Sequence, residues 1–301
     1  MKVRGAVLRE MGLEKPYASS RPLAIEELEL DPPGPGELLV RVHAAGLCHS
    51  DLSVIDGSRP RVMPMVLGHE AAGEVVEAGA GAGGFAPGDH VVLAFVPTCG
   101  QCVPCLSGRA ALCEPGAAAN TAGTLLSGDR RWHDGLHHHL GVSAFADHIV
   151  VSAQSAVKVD DDLPYEIAAL FGCAVLTGVG AATNGARVTA DDRVAIFGLG
   201  GVGLAALLGA VVAGAGTIVA VDVVPEKLAL ARELGATHVV QAGDDVVRDV
   251  REATDGGADK AIETVGSARV LADAYAATRR GGTTVTVGLP HPEQMLSIPA
   301  V

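Results

Sequence analysis

Four of the six cysteines in this 301-residue chain, Cys99, Cys102, Cys105 and Cys113, follow the pattern C-x2-C-x2-C-x7-C, with Gly100, Pro104 and Gly108 between them to turn the backbone. Four thiolates this close in sequence can wrap one tetrahedral zinc ion. Such a closed set leaves no open coordination position, so it would pin a loop and do no chemistry. Four unpaired thiols in a mobile loop is the alternative, and it makes poor sense of so many Cys among turn residues. Cys48 and Cys173 remain, and Gly68-His69-Glu70 supplies an imidazole between them in sequence. Cys48, His69 and Cys173 would make a three-ligand zinc site whose open fourth position permits catalysis. Singly each is weak, since a lone Cys is usually a small buried apolar residue and a lone His a satisfied polar one. Their combination carries the reading.

A second chemistry is written into Gly198-Leu199-Gly200-Gly201-Val202-Gly203. The motif G-x-G-x-x-G follows the apolar strand pattern Arg193–Phe197 and opens a helix, so its glycines permit a tight turn and close approach of a pyrophosphate to backbone N–H groups. Alone the motif is weak. Here Asp222 ends the next strand, 19 residues after Gly203, where a carboxylate would receive the adenosine ribose hydroxyls. A carboxylate there repels a 2′-phosphate, which favours NAD over NADP.

The elements that must position these residues change character along the chain. The first half reads as β-rich, with short apolar alternations at Glu37–Val42, Gly73–Val76 and His90–Phe95 separated by Gly and Pro turns such as Pro32-Pro33-Gly34-Pro35-Gly36. From about Ala168 the segments lengthen and alternate: strand Arg193–Phe197, helix from Gly201, strand Thr217–Asp222, helix Pro225–Leu234, strand His238–Gln241. Strands at Lys260–Thr264 and Thr283–Leu289 with a helix over Arg269–Thr278 complete the rhythm of a parallel sheet covered by helices.

With 49% hydrophobic and 19% charged residues, the chain has material for two cores. A net charge of −13 without any basic patch argues against nucleic acid as a partner. Val194–Val221 carries no charge and is long enough to span a bilayer, but its seven glycines and flanking Asp191, Asp192, Arg193 and Asp222 suit strand, turn, helix and strand better. The amino terminus lacks the apolar run of a signal peptide. The expectation is a cytoplasmic, reduced-thiol protein with no membrane partner, whose cysteines serve metal rather than disulfides.

Gly46-Leu47-Cys48-His49-Ser50-Asp51, Gly68-His69-Glu70, the four-Cys cluster, Gly172-Cys173 and the glycine-rich motif occur in the order typical of zinc-dependent medium-chain alcohol dehydrogenases, which the chain resembles over essentially its whole length. The segment between Cys113 and Ser143, ending in His138-His139-Leu140-Gly141, looks like the longer loop of the liver-type branch. The resemblance implies an α/β protein. A GroES-like, β-rich catalytic domain with the zinc loop would occupy 1–174, and a Rossmann domain with a doubly wound parallel sheet 175–301, with substrate and nicotinamide meeting between them. It also implies two zinc ions and NAD per chain, a small-molecule alcohol or aldehyde as substrate, and a homo-oligomer at full length. By position, Glu70 joins the catalytic metal group behind Cys48, His69 and Cys173, and Asp51 orients His69. Ser50 takes the alcohol proton, and His49 serves both the pyrophosphate and the proton path. The plainer alternatives, which the resemblance outweighs, are ordinary carboxylates at Asp51 and Glu70 and a turn serine at Ser50. Lys227 would reach the ribose or stay a solvated helix lysine, while Phe95, His139 and Arg59 fall near the substrate pocket.

Two departures stand out. Many relatives end the proton relay with a His five residues after the first ligand, where this chain has Ser53, no base near neutral pH. Relatives also continue beyond the strand ending near Leu289, so the carboxyl end, Ser297–Val301, looks short. Three activities compete: oxidation of a primary, including aromatic, alcohol with NAD; a thiol-dependent formaldehyde dehydrogenase; and an inactive zinc- and NAD-binding protein.

Overall fold

The computed structural model describes residues 1–299; Ala300 and Val301, the last positions of the expected Rossmann segment, lie outside the described residues. The chain divides into two compact units, Met1–Cys173 and the residues from Ala174 onward.

The first unit is built on two sheets. Strands β1 (Lys2–Leu8), β2 (Leu23–Glu29), β3 (Glu37–Gly46), β4 (Met65–Val66), β5 (Glu70–Ala78), β6 (His90–Leu93), β7 (His137–His138), β8 (His148–Ser152) and β9 (Ala156–Lys158) form one sheet in the order β2-β1-β4-β7 and another in the order β8-β3-β5-β6-β9. Leu38, Val40, Val75, Val91, Leu93, Ile149 and Val151 are all fully buried in one cluster with residues of β1 and β4. Period-2 alternation lets a strand bury one face this way. Two of the three expected alternations seed longer strands than their apolar residues mark, β3 running on to Gly46 and β5 starting at Glu70, while β6 stops at Leu93, short of the expected Phe95. Pairing with a neighbour, not apolar content, decides where a strand stops. The β3–β5 register slips between Val42 and Ala44 and then resumes, so that Gly46 lies opposite Glu70. A bulge of this kind bends a strand and re-aims its end. Here it sits just ahead of Cys48.

The segment expected as a long loop after Cys113 is structured. It contains the helix Glu114–Ala122 and the strand β7, which pairs in parallel with β4. Its Arg131 forks onto the buried carboxylate of Glu37 at 2.7 and 3.2 Å, the kind of paired burial a charged group needs.

The second unit is a five-stranded parallel sheet of β10 (Arg193–Phe197), β11 (Thr217–Asp222), β12 (His238–Gln241), β13 (Ala258–Glu263) and β14 (Thr278–Thr286) in the order β12-β11-β10-β13-β14. This is the Rossmann order, with the first strand central and a switch point beside it. The charge-free run Val194–Val221 resolves into β10, the helix Gly201–Val212 and β11. Among the described residues no single helix is long and apolar enough to cross a membrane. The helices Pro225–Glu233 and Ala268–Ala277 lie within a residue or two of their expected ends.

Candidate active site

Three elements of the first unit deliver the open donor set. Cys48 precedes the helix His49–Ile55, His69 stands immediately ahead of β5 and Glu70 opens it, and Cys173 follows a short turn, Ala169–Gly172. One donor atom from each of Cys48, His69, Glu70 and Cys173 lies within 4.8 Å of the others. Two glycines make this convergence sterically possible. A Cβ on Gly46 would stand 2.3 Å from Glu70 Oε2, and one on Gly172 would stand 2.2 Å from the carbonyl oxygen of Leu93.

The electrostatics are those of a site made for a cation. The Cys48 thiol is held down at about 3, first by a hydrogen bond from the Cys173 thiol and then, against burial, by His69 and the Ser50 backbone N–H. Cys173 is pushed up by that same shared proton and by burial. Burial opposes charge on His69, but hydrogen bonds with Asp51 and Cys48 prevail and raise it to about 10. Burial, then the neighbouring Cys48 thiolate, lifts Glu70 to about 7. Sulfur and imidazole donors this close, with protons shared among them, fit a zinc ion, which takes over the role of the shared protons.

Around this set lie further predicted residues. Asp51, 3% exposed, accepts the Cys48 backbone N–H on Oδ2 at 3.1 Å and faces His69 Nδ1 with Oδ1 at 3.0 Å. A carboxylate on the far ring nitrogen fixes tautomer and plane, leaving Nε2 for a metal. Ser50 lies in the first turn of the same helix, after the exposed His49. Ser53 Oγ donates to the His49 carbonyl at 3.1 Å, a backbone bond within the helix. Phe95 stands edge-on to His69 with ring centroids 5.7 Å apart, its carbonyl held by Asn120 Nδ2 at 2.8 Å. Sequence reasoning put His139 in the substrate pocket. It did not foresee that this imidazole, 1% exposed, also lies 3.4 Å from Asp51 Oδ1, a contact between segments 88 residues apart in the sequence.

The four-Cys cluster closes as its spacing predicts, with all four sulfurs within 4.8 Å. Backbone N–H groups point at the sulfurs: Cys102 to Cys99 Sγ at 3.3 Å, Cys99 and Gly116 to Cys113 Sγ at 3.2 and 3.4 Å. N–H donors aimed at sulfur favour thiolates. The Cys105 backbone N–H, and against burial that of Glu114, draw Cys102 down to about 7, while burial and then the Cys102 thiolate push Cys105 up to about 12. With Cys105 pushed up in the protein alone, a divalent cation would supply the charge that makes the cluster a ligand set.

In the second unit the glycine-rich turn joins β10 to the helix Gly201–Val212. A Cβ on Gly203 would fall 1.9 Å from the Gly198 carbonyl oxygen, so packing alone requires that glycine. Gly200 differs: a Cβ there would meet nothing within 4 Å, and its φ of −78° suits any residue. Nothing in the protein demands glycine at 200, whereas a ligand lying on the backbone would. Val202 follows in the first helical turn. Asp222, at the end of β11, accepts the Leu199 N–H at 2.7 Å and the Val224 N–H at 2.9 Å, with Lys227 Nζ 3.7 Å away.

A β-rich unit holding one closed and one open set of zinc donors, followed by a Rossmann unit, defines a zinc-binding dehydrogenase. Residues 34–161 match the alcohol dehydrogenase GroES-like domain family and residues 201–301 the zinc-binding dehydrogenase family. The chain is 42% identical over 301 residues to an NDMA-dependent alcohol dehydrogenase of Amycolatopsis methanolica, covering 98% of this chain and 79% of that one. It is 38% identical over 308 residues to an S-(hydroxymethyl)glutathione dehydrogenase of Escherichia coli, covering 99% and 80%. A benzyl alcohol dehydrogenase from Acinetobacter calcoaceticus superposes with a TM-score of 0.91 at 34% identity, over 100% of this chain and 80% of that one. The chain belongs to the zinc-dependent medium-chain alcohol dehydrogenase family. It is an oxidoreductase of small-molecule alcohols or aldehydes.

Proposed function

We propose that this chain oxidises primary alcohols, aromatic ones included, with NAD. Cys48, His69 and Cys173 hold a catalytic zinc backed by Glu70, and Cys99, Cys102, Cys105 and Cys113 hold a structural one. The observation that carries the reading is the convergence of the Cys48, His69, Glu70 and Cys173 donor atoms within 4.8 Å. The catalytic domain spans 1–174 and the dinucleotide-binding domain 175–301. Six free cysteines, all in these two donor sets, support a reducing, cytoplasmic setting.

When bound, the open-site zinc supplies Lewis-acid polarisation of the alcohol oxygen. The protein's own residues do the rest. Asp51 keeps the His69 ring in plane, and Ser50 Oγ is the hydroxyl that accepts the alcohol proton; a bound nicotinamide would supply the hydride acceptor. Ser53 does not extend this path, because its hydroxyl donates to the His49 carbonyl. The proton therefore passes to water or to the exposed His49. Phe95, edge-on to His69, offers an aromatic wall that favours a benzylic substrate, in line with the benzyl alcohol dehydrogenase likeness. Gly198, Gly200, Gly201, Val202 and Gly203 would carry the pyrophosphate, and His49 keeps the cofactor role that the family resemblance implies. Asp222 and Lys227 take the ribose.

The test is zinc content by mass spectrometry together with NADH formation from benzyl alcohol, ethanol and S-(hydroxymethyl)glutathione. Two zincs per chain, with benzyl alcohol the best substrate and a Cys48→Ala variant reduced to one zinc and background turnover, are expected. A Cys48→Ala variant that keeps both metal and rate overturns the assignment. Preference for the glutathione adduct would move the substrate to the formaldehyde branch.

A further inference from the structure

We propose that His139 is a second positioning residue for His69, acting through the carboxylate of Asp51 that the two imidazoles share. The inference rests on the reading of Cys48, His69 and Cys173 as a zinc site. It concerns how that site is held.

Three observations converge. First, Asp51 Oδ1 faces two ring nitrogens, His69 Nδ1 at 3.0 Å and His139 Nδ1 at 3.4 Å. The His139 contact is misaligned for a hydrogen bond, so this nitrogen, on a ring 1% exposed, has no hydrogen-bond partner. A buried ring nitrogen without a partner is costly, and the Asp51 carboxylate, 3.4 Å away, is an acceptor that a small approach would bring into reach. Second, the His139 ring stands at 86° to His69 with centroids 5.6 Å apart, and Phe95 stands at 84° at 5.7 Å. Two perpendicular rings flank the metal-binding imidazole and limit its tilt.

Third, the backbone that carries His139 is strained. Leu140 and Ser143 have φ of +52° and +58°, and Gly141 between them has +66°. Non-glycine residues in this region persist only where the surroundings impose it, and they gather at functional sites. The turn is tied at His139: its carbonyl accepts the N–H groups of Val142 and Ser143 at 3.0 and 3.1 Å, and its own N–H donates to Ser143 Oγ at 3.0 Å. The strain thus goes into fixing the imidazole that leans on Asp51. A phenyl ring would fill the space without an N–H for the carboxylate.

The role is tested by zinc retention rather than by rate alone. Wild type, His139→Phe and His139→Gln are loaded with zinc as full chains, and release to a chromophoric chelator is followed, with the four-Cys zinc as internal control. His139→Phe is expected to release the catalytic zinc about 10 to 100 times faster, as loss of a group supporting a ligand does. The structural zinc should be unaffected, and His139→Gln should restore much of the retention. Because the route is through Asp51, adding His139→Phe to Asp51→Asn should accelerate release no further. Release within twofold of wild type, or effects that multiply fully in the double variant, would overturn the proposal. So would a third zinc per chain lost with His139, since Asp51, His69 and His139 would then be an ion site of their own. A wild type holding one zinc overturns the catalytic-site reading first, and this inference with it. Should His139→Phe fail to fold by circular dichroism, His139→Met against His139→Gln makes the same comparison.

Discussion

At the scale of single residues, a glycine can matter for the atom it lacks. Gly46 borders no ligand in the way Cys48 does, yet a Cβ there would stand 2.3 Å from Glu70 Oε2. Gly46→Ala therefore displaces the carboxylate or the strand end. The expected cost is about 1–3 kcal/mol of stability, as for overpacking elsewhere, read from the urea midpoint, with weaker retention of the catalytic metal. A variant with wild-type midpoint and two tightly held zincs would refute the close approach. Asp222 makes a second case. Its oxygens already accept two backbone N–H groups, which hold the carboxylate in place at the end of β11. Asp222→Asn is expected to raise KM for NAD about 10-fold, the loss of one charge-assisted bond, and to narrow the preference over NADP. Unchanged discrimination between the two cofactors would remove Asp222 from the ribose site.

At the scale of elements, the four-Cys loop is held by sulfur rather than by a core. Val103 and Leu106 are 79% and 75% exposed, and the short helix that carries them buries no residue. Cys105→Ser should lose the structural zinc, leaving residues 99–113 open to limited proteolysis while the rest of the first unit, with its own apolar cluster, stays resistant. Cleavage elsewhere first would show that the loop's zinc supports more than the loop. The helix His49–Ile55 shows another economy: the carboxylate that receives the backbone N–H ahead of its first turn also orients His69.

At the scale of the molecule, stability in acid should trace in part to the second unit. Asp259 lies 8% exposed between Arg193 and Arg279. Its hydrogen bond from Arg193, opposed by burial and aided by Arg279, holds its folded value well below the usual value near 3.8. Between these two values the unfolded chain binds a proton that the folded chain refuses, so folding stability falls as pH drops through that window. Above it the contribution is complete. Asp259→Asn should therefore lower Tm at pH 7 and flatten the Tm-against-pH curve below pH 4. Equal loss of Tm at pH 7 and pH 2 would show that the carboxylate's charge is not what stabilises.

The sequence by itself determined the four-Cys cluster, the candidate donors Cys48, His69 and Cys173, the β10-turn-helix unit with Asp222 nineteen residues beyond Gly203, and the alternation from a β-rich half to a parallel sheet. Cys48, His69 and Cys173, far apart in the chain, are read from their combination; the rest come from local spacing: ligands a turn apart, glycines at fixed offsets, apolar periods of two or 3.6 residues. Strand ends were legible only in part, because β3 and β5 extend as far as their pairing does, and the segment after Cys113 reads as loop although it forms a helix and pairs with β4. What only the tertiary structure decided is contact between distant segments: Glu70 against Gly46, Arg131 on Glu37, Asp259 between two arginines, and His139 on Asp51. The physical reason is that such contacts depend on strand register and on turns whose geometry no short window of sequence contains.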